Sequence, residues 1–164
     1  MRNCIAGIII LALGFSSCLK GSNSCSFSAC ATVAPASEIQ AVQNYLTTNS
    51  ITATQHCSGL FYRIENAGTG ATPGACSNIS VKYKGYFTNG TVIDQRTTAV
   101  SLSLGNAIRG WRCGIPLIKT SGRIVLYIPP SLAYGNQDLR DQNGNILIPA
   151  NSVLIFEIDL VSVD

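Results

Sequence analysis

The segment Ile108–Gly135, IRGWRCGIPLIKTSGRIVLYIPPSLAYG, decides how the rest of the chain is read, because it holds the single tryptophan and two dense Pro/Gly signals around an apolar run. Within it, Arg109–Ile118 has the spacing of a short helix whose apolar side carries Trp111, Ile115 and Ile118, kept brief by Gly114 and Pro116. Thr120-Ser121-Gly122 reads as a turn. Ile124, Leu126 and Ile128 then alternate with Val125 and Tyr127 in a strand rich in β-branched and aromatic residues, which stops at Pro129-Pro130. Tyr134 follows on a loop. A short helix that delivers an indole beside a strand and a tyrosine-bearing loop predicts a small apolar pocket with one hydroxyl at its edge.

Working outward, Leu60–Glu65 alternates as a first strand closed by the turn Ala67-Gly68-Thr69-Gly70. Ile79, Val81, Tyr83 and Phe87 share one parity and give a half-buried strand. Asn89-Gly90 signals a hairpin that returns the chain through Thr91–Ile93. Val100, Leu102 and Leu104 alternate with Ser101 and Ser103 in a further strand, Asn136–Asn145 is a polar, turn-rich loop, and Leu154, Phe156, Ile158 and Leu160 finish the core with Glu157 and Asp159 outward. The fold class is α+β: about five antiparallel strands in a curved sheet wrapped over one short helix.

At this point the chain resembles the FKBP-type peptidyl-prolyl cis-trans isomerases. The resemblance is carried by three separated stretches in family order: VKYKGYFTNGTVID (Val81–Asp94), the opening segment, and IPANSVLIFEIDLVSV (Ile148–Val163). It spans Ser58 to the C-terminus, positions 58–164, and implies the same α+β architecture. It also implies a prolyl ring seated on Trp111 and walled by Tyr83, Phe156, Ile108 and Ile148, with Ile93 and Val100 at wall positions that are commonly aromatic in the family. Tyr134 would donate its hydroxyl to the substrate carbonyl, the backbone N–H of Ile108 would be a further donor, and Asp94 would hydrogen-bond at the pocket edge. The implied partners are proline-containing polypeptide segments, with macrolide inhibitors as ligands of the same pocket. Two further departures concern loops. The link from Leu104-Gly105 to Ile108 is about two residues shorter than usual, and Asn136–Leu147 is longer and carries Asp138, Arg140 and Asp141 without an aromatic residue at its tip.

The residues themselves assemble no nucleophile with an adjacent base, no phosphate loop and no metal cluster, and they call for no cofactor. His56 is the only histidine, no Cys-x-x-Cys pair exists, and His56 beside Cys57 reads as a surface residue. Prolyl isomerisation fits that absence, since its obstacle is loss of amide resonance rather than a bond to be cut. A non-catalytic module that holds proline segments, or acts as a chaperone surface, is the alternative; a structural envelope lipoprotein is another.

At the N-terminus, Met1-Arg2-Asn3, the apolar run Ile5–Phe15 and Ser16-Ser17 before Cys18 have the layout of a lipoprotein signal over residues 1–17, with Cys18 as the lipidated residue. Phe15 stands where that pattern has an aliphatic residue, and an ordinary secreted protein cut nearby is the competing reading. The expected location is a bacterial cell envelope, lipid-anchored to a membrane and facing away from the cytoplasm. Residues 18–36, rich in Ser, Ala and Cys, are expected to be a flexible tether. Ser37 with Gln40 forms a capping box for a helix at 37–50, whose Ile39, Val42 and Leu46 share a face that docks on the domain or forms a dimer seam. Five cysteines remain after Cys4 and Cys18, and the expected pairs are Cys25–Cys30 and one bridge among Cys57, Cys76 and Cys113, with Cys76–Cys113 preferred.

With 164 residues the chain suits one folded domain plus these additions. Charged residues are only 12% of the sequence, about half the ~25% of soluble proteins. The net charge is +3, and no basic run is present, so nucleic-acid binding has no electrostatic footprint. Asn78-Ile79-Ser80 and Asn89-Gly90-Thr91 match the glycosylation pattern, which carries no meaning in a bacterial lipoprotein.

Overall fold

The computed structural model describes residues 25–164. The elements run α1 (Ala36–Thr48), β1 (Thr54–Gln55), β2 (Phe61–Asn66), β3 (Asn78–Phe87), β4 (Val92–Ser103), α2 (Arg109–Gly114), β5 (Arg123–Ile128), β6 (Leu139–Arg140), β7 (Ile146–Ile148) and β8 (Leu154–Val163). Single 3₁₀ turns lie at Leu104–Asn106, Ile115–Leu117 and Pro130–Leu132. Six strands form one antiparallel sheet in the order β1-β2-β5-β8-β3-β4, and β6 pairs with β7 as a separate hairpin. The strand beyond the expected five is β1, a two-residue edge piece. The signal segment and Cys18 fall outside the described residues, as does the start of the tether. Among the described residues no helix is long and apolar enough to cross a membrane.

The alternation in β5 explains the layering. Ile124, Leu126 and Ile128 turn toward α2 and the main core, while Val125 and Tyr127 join Phe61 and Ile155 beneath Val42 and Leu46 of α1. Because both faces of β5 are covered, the strand reads as a continuous apolar run. α2 can approach closely because Gly110 and Gly114 face it: a Cβ on Gly110 would lie 2.6 Å from Ile128 Cγ2, and one on Gly114 would lie 2.5 Å from Leu126 Cδ2. At the start of β5, Arg123 reaches Glu65 on β2 and Glu157 and Asp159 on β8, each at 2.8 Å, so the outward carboxylates of β8 are paired across three strands.

Four expectations need correction. The returning strands predicted as Thr91–Ile93 and Val100–Leu104 are one twelve-residue strand, β4. Its polar middle has no burial period because it is a sheet edge, held to β3 through backbone pairing with two register shifts. The capping box is absent: Pro35 is the N-cap of α1, no side chain caps it, and Ser37 already lies inside the first turn. The polar loop after Tyr134 contains the β6–β7 hairpin.

The fourth correction concerns the tether and the cysteines. Cys25 bridges Cys76 and Cys30 bridges Cys57, which among the described residues leaves Cys113 as a free buried thiol. The stretch from Cys25 to Pro35 is therefore a strap bound to the domain. Its Phe27 ring lies 4.8 Å from the Arg109 guanidinium and 4.1 Å from that of Arg112, and the Ala34 N–H donates to Ser58 O at 2.9 Å. Cys25 and Cys30 reach different loops because the strap crosses α2 between them, Arg109 donating to Ser28 O at 2.9 Å and the Cys113 thiol facing Ala29 O at 3.7 Å. Cys113 instead sits 3% exposed in the core, where burial raises its thiol pKa despite Ser58 and two nearby arginines.

Candidate functional site

Tyr83 on β3, Phe156 on β8 and Trp111 on α2 converge on one side of the sheet. The Tyr83 and Trp111 centroids are 5.1 Å apart at 78°, and those of Trp111 and Phe156 are 5.3 Å apart at 88°. Edge-to-face contacts of this kind are favourable, so each ring holds the next in place. Phe156 pairs with Gly85 across β3–β8, and a Cβ on Gly85 would fall 2.9 Å from Phe156 Cδ1, so the missing side chain makes room for the ring. Trp111 is 6% exposed, and its indole N–H is buried without a partner among the described residues.

These rings form part of a cavity of about 760 Å³, whose walls also include Ile93, Asp94, Ile108, Tyr134 and Ile148. The structure thus brings together Tyr83, Ile93, Asp94, Ile108, Trp111, Tyr134, Ile148 and Phe156, residues the sequence scattered over some seventy positions. Val100 is a correction: it does not line the cavity. Between Arg96 and Val100, β4 advances four residues while β3 advances two, from Tyr83 to Val81, and this bulge carries Val100 away to pack on the core. Leu102 and Ala107 line the wall instead, with Arg96 and Asn106.

Asp94 organises the mouth. Tyr83 Oη donates to Asp94 Oδ2 at 2.5 Å, the Gln95 N–H donates to Oδ1 at 2.8 Å, and the Arg96 guanidinium lies 3.1 Å from Oδ1. Burial, and then the hydrogen bond and charge of Asp94, push the Tyr83 phenol up to about 12, so it stays neutral and committed as a donor. Burial followed by the Asp94 charge also raises Tyr134, which remains a neutral phenol. Its hydroxyl bonds to no group among the described residues, and the residue is 42% exposed at the rim. Ile108 caps the start of α2: its carbonyl accepts from the N–H groups of Trp111 at 3.0 Å and Arg112 at 3.3 Å. The 3₁₀ turn at Leu104–Asn106 followed by extended Ala107 makes the shortened link that presents Ile108.

The long loop contributes two wall residues the sequence reading missed, Leu139 and Leu147, one on each arm of the hairpin. Their signal was present as large aliphatic residues inside an otherwise polar segment. Among the described residues, Cys30, His56 and Cys57 have ligand atoms within 4.8 Å of one another, but both sulfurs are taken up in a bridge. His56 is half-buried rather than on the open surface; its Nδ1 accepts from the Ser58 N–H at 3.2 Å, and burial lowers its pKa. The arrangement is an apolar recess floored by an indole, with a neutral phenol at its rim.

A model of the FKBP-type peptidyl-prolyl cis-trans isomerase domain matches residues 70–161. The chain belongs to the FKBP-type peptidyl-prolyl cis-trans isomerase family. It is 46% identical over 109 residues to the FKBP-type peptidyl-prolyl cis-trans isomerase FkpA of Buchnera aphidicola, covering 65% of this chain and 43% of that protein. With the FkpA of Escherichia coli K12 the identity is 37% over 109 residues, which is 65% of this chain and 38% of that protein. The chain therefore spans less than half the length of these relatives. The crystal structure of Escherichia coli FkpA superimposes with a TM-score of 0.66 at 32% identity, covering 79% of this chain and 60% of that one. A Pseudomonas syringae peptidyl-prolyl cis-trans isomerase gives 0.67 at 27% identity, covering 81% and 98%.

Proposed function

We propose that this chain accelerates the cis-trans isomerisation of X-Pro bonds in exported polypeptides, held to a bacterial envelope membrane by lipid on Cys18. The observation that supports the reading is the open, aromatic-walled cavity with the Tyr134 hydroxyl at its rim and Ile108 at the start of α2. The uncatalysed reaction takes tens to hundreds of seconds and passes through a twisted amide that has lost its resonance. A planar amide is the more charge-separated form, so a dry apolar site disfavours it relative to the twisted one. The prolyl ring would lie on Trp111 between Tyr83, Phe156, Ile93, Ile108 and Ile148. Tyr134 would donate to the substrate carbonyl as it rotates, with the Ile108 N–H as a second donor, while Asp94 fixes Tyr83 and the rim. Each 1.36 kcal/mol gained by such placement is about tenfold in rate. Macrolide inhibitors would compete for the same cavity.

The test is refolding of a protein whose slow phase is limited by proline isomerisation, with the fragment from Leu19 onward added in trace amounts. The slow phase should shorten in proportion to the amount added, and less so with Tyr134→Phe. An unchanged slow phase together with a peptide-dependent shift in Trp111 emission would identify a module that binds proline segments without catalysing. For the anchor, the full chain should partition into membranes and Cys18→Ala should release it; equal partitioning of the two would remove Cys18 from the account.

A further inference from the structure

The loop that presents Tyr134 is tied down through most of its backbone N–H groups. The Leu132 N–H donates to Pro129 O at 3.0 Å, those of Ala133 and Gly135 donate to Pro130 O at 2.9 and 2.8 Å, and Gly135 O accepts from the Asn151 N–H at 2.9 Å. Leu132 is fully buried and serves as its apolar anchor. Ser131 opens the 3₁₀ turn behind Pro130, in the position where a helical N–H has no carbonyl of its own to reach. Its N–H donates instead to Glu38 Oε2 at 2.8 Å, across 93 residues of sequence.

Glu38 lies in the first turn of α1, outside the residues matched by the family model. The helix is immobilised from two sides. Val42 and Leu46 are clamped against Phe61, Val125, Tyr127 and Ile155, and the strap before Pro35 is tied down by Cys30–Cys57. A carboxylate on a fixed helix thus holds the turn three residues before Tyr134. We infer that Glu38 is a positioning residue for Tyr134: it sets where the hydroxyl stands over the cavity and makes α1 part of the catalytic frame. This rests on the isomerase reading above.

The bond is charge-assisted but lies at the surface, where water can replace it. Its loss should loosen the loop more than it destabilises the fold. Glu38→Ala is expected to lower kcat/KM about fivefold, a modest share of what misplacement of a reacting group can cost. Glu38→Gln should restore most of that, because its amide oxygen still accepts the Ser131 N–H. Ile79→Val, a core truncation outside both the α1 docking cluster and the cavity wall, should lower the unfolding midpoint and leave kcat/KM unchanged. In a Tyr134→Phe background, Glu38→Ala should add no further loss.

The inference is overturned if Glu38→Ala turns over like the parent, if Gln is as damaging as Ala, or if the loss persists in full without the Tyr134 hydroxyl. The Tyr134 ring resonances give a readout independent of turnover and should move in Glu38→Ala but not in Glu38→Gln. If the parent protein accelerates no X-Pro bond, the isomerase reading fails by itself; the tie between Glu38 and Tyr134 then falls only if those resonances stay in place.

Discussion

Gly110→Ala tests how the floor of the pocket is seated. Alanine is the better helix former by at most about 1 kcal/mol, so propensity alone predicts stabilisation of α2. The structure predicts the opposite. The added Cβ would stand 2.6, 2.8 and 3.1 Å from Cγ2, Cδ1 and Cγ1 of Ile128, a side chain with no exposed surface. Carbon atoms prefer about 3.5–4.0 Å, and relieving such overlap in a packed core costs about 1–3 kcal/mol. With three contacts on one rigid β-branched side chain the upper end applies, leaving a net loss of about 2 kcal/mol after the propensity gain. For a domain of this size that lowers the midpoint by roughly 6–10 °C. Trp111 is the next residue, so α2 should lift with its indole and peptide affinity should fall too. Urea unfolding with the bridges intact, at constant m, reads the first effect; Trp111 emission under peptide titration reads the second. Ile128→Ala removes all three clashing carbons, and in that background Gly110→Ala should be neutral or stabilising. A Gly110→Ala protein at least as stable as the parent would refute the close seating of α2 on β5.

Further outcomes follow from the same geometry. Trp111→Ala should cost about 3–5 kcal/mol of stability as well as binding, because the indole is both core and floor; full stability with lost binding would mean the ring is not core. The neutral Tyr83 phenol contributes stability that is complete below its ordinary value near 10 and lost as pH rises through about 12, and an NMR titration of its ring should place the midpoint there. Asp94→Ala should lower that midpoint only in part, since burial is the larger cause. Removing the Cys30–Cys57 bridge by a paired serine substitution should destabilise by about 3–4 kcal/mol on loop-closure grounds for its separation of 27; denaturation curves coinciding with the parent's would show that the strap contributes no constraint.

What was legible in the sequence had a local cause. Asn89-Gly90 marked its hairpin because Gly90 adopts φ +85°, a conformation open to few residues. Trp111, Ile115 and Ile118 shared a helical face because one side of α2 and its following turn is buried. Trp111 and Tyr134 were offered by the helix, strand and loop pattern, whereas the other pocket residues were carried by family resemblance. What escaped depended on paths through space. Cys25 and Cys30, close in sequence, bridge to separate loops because the strap between them crosses α2. Val100 had the right parity but a bulge changed its address, and parity cannot register an inserted residue. Ser37 and Gln40 imitated a capping box, yet Pro35 starts the helix and the acidic residue of that turn, Glu38, is used across the fold at Ser131.

Catalysis by the cavity would be rotation about an X-Pro bond. Exchange NMR on a set of X-Pro peptides, with trace amounts of the fragment from Leu19 onward, reads that rotation directly. Cis-trans exchange should quicken with added protein and be strongly reduced in Asp94→Ala and Tyr134→Phe variants that remain folded. Exchange at the uncatalysed rate with the parent protein, while Trp111 signals shift on peptide addition, would contradict catalysis and leave a pocket that only binds proline.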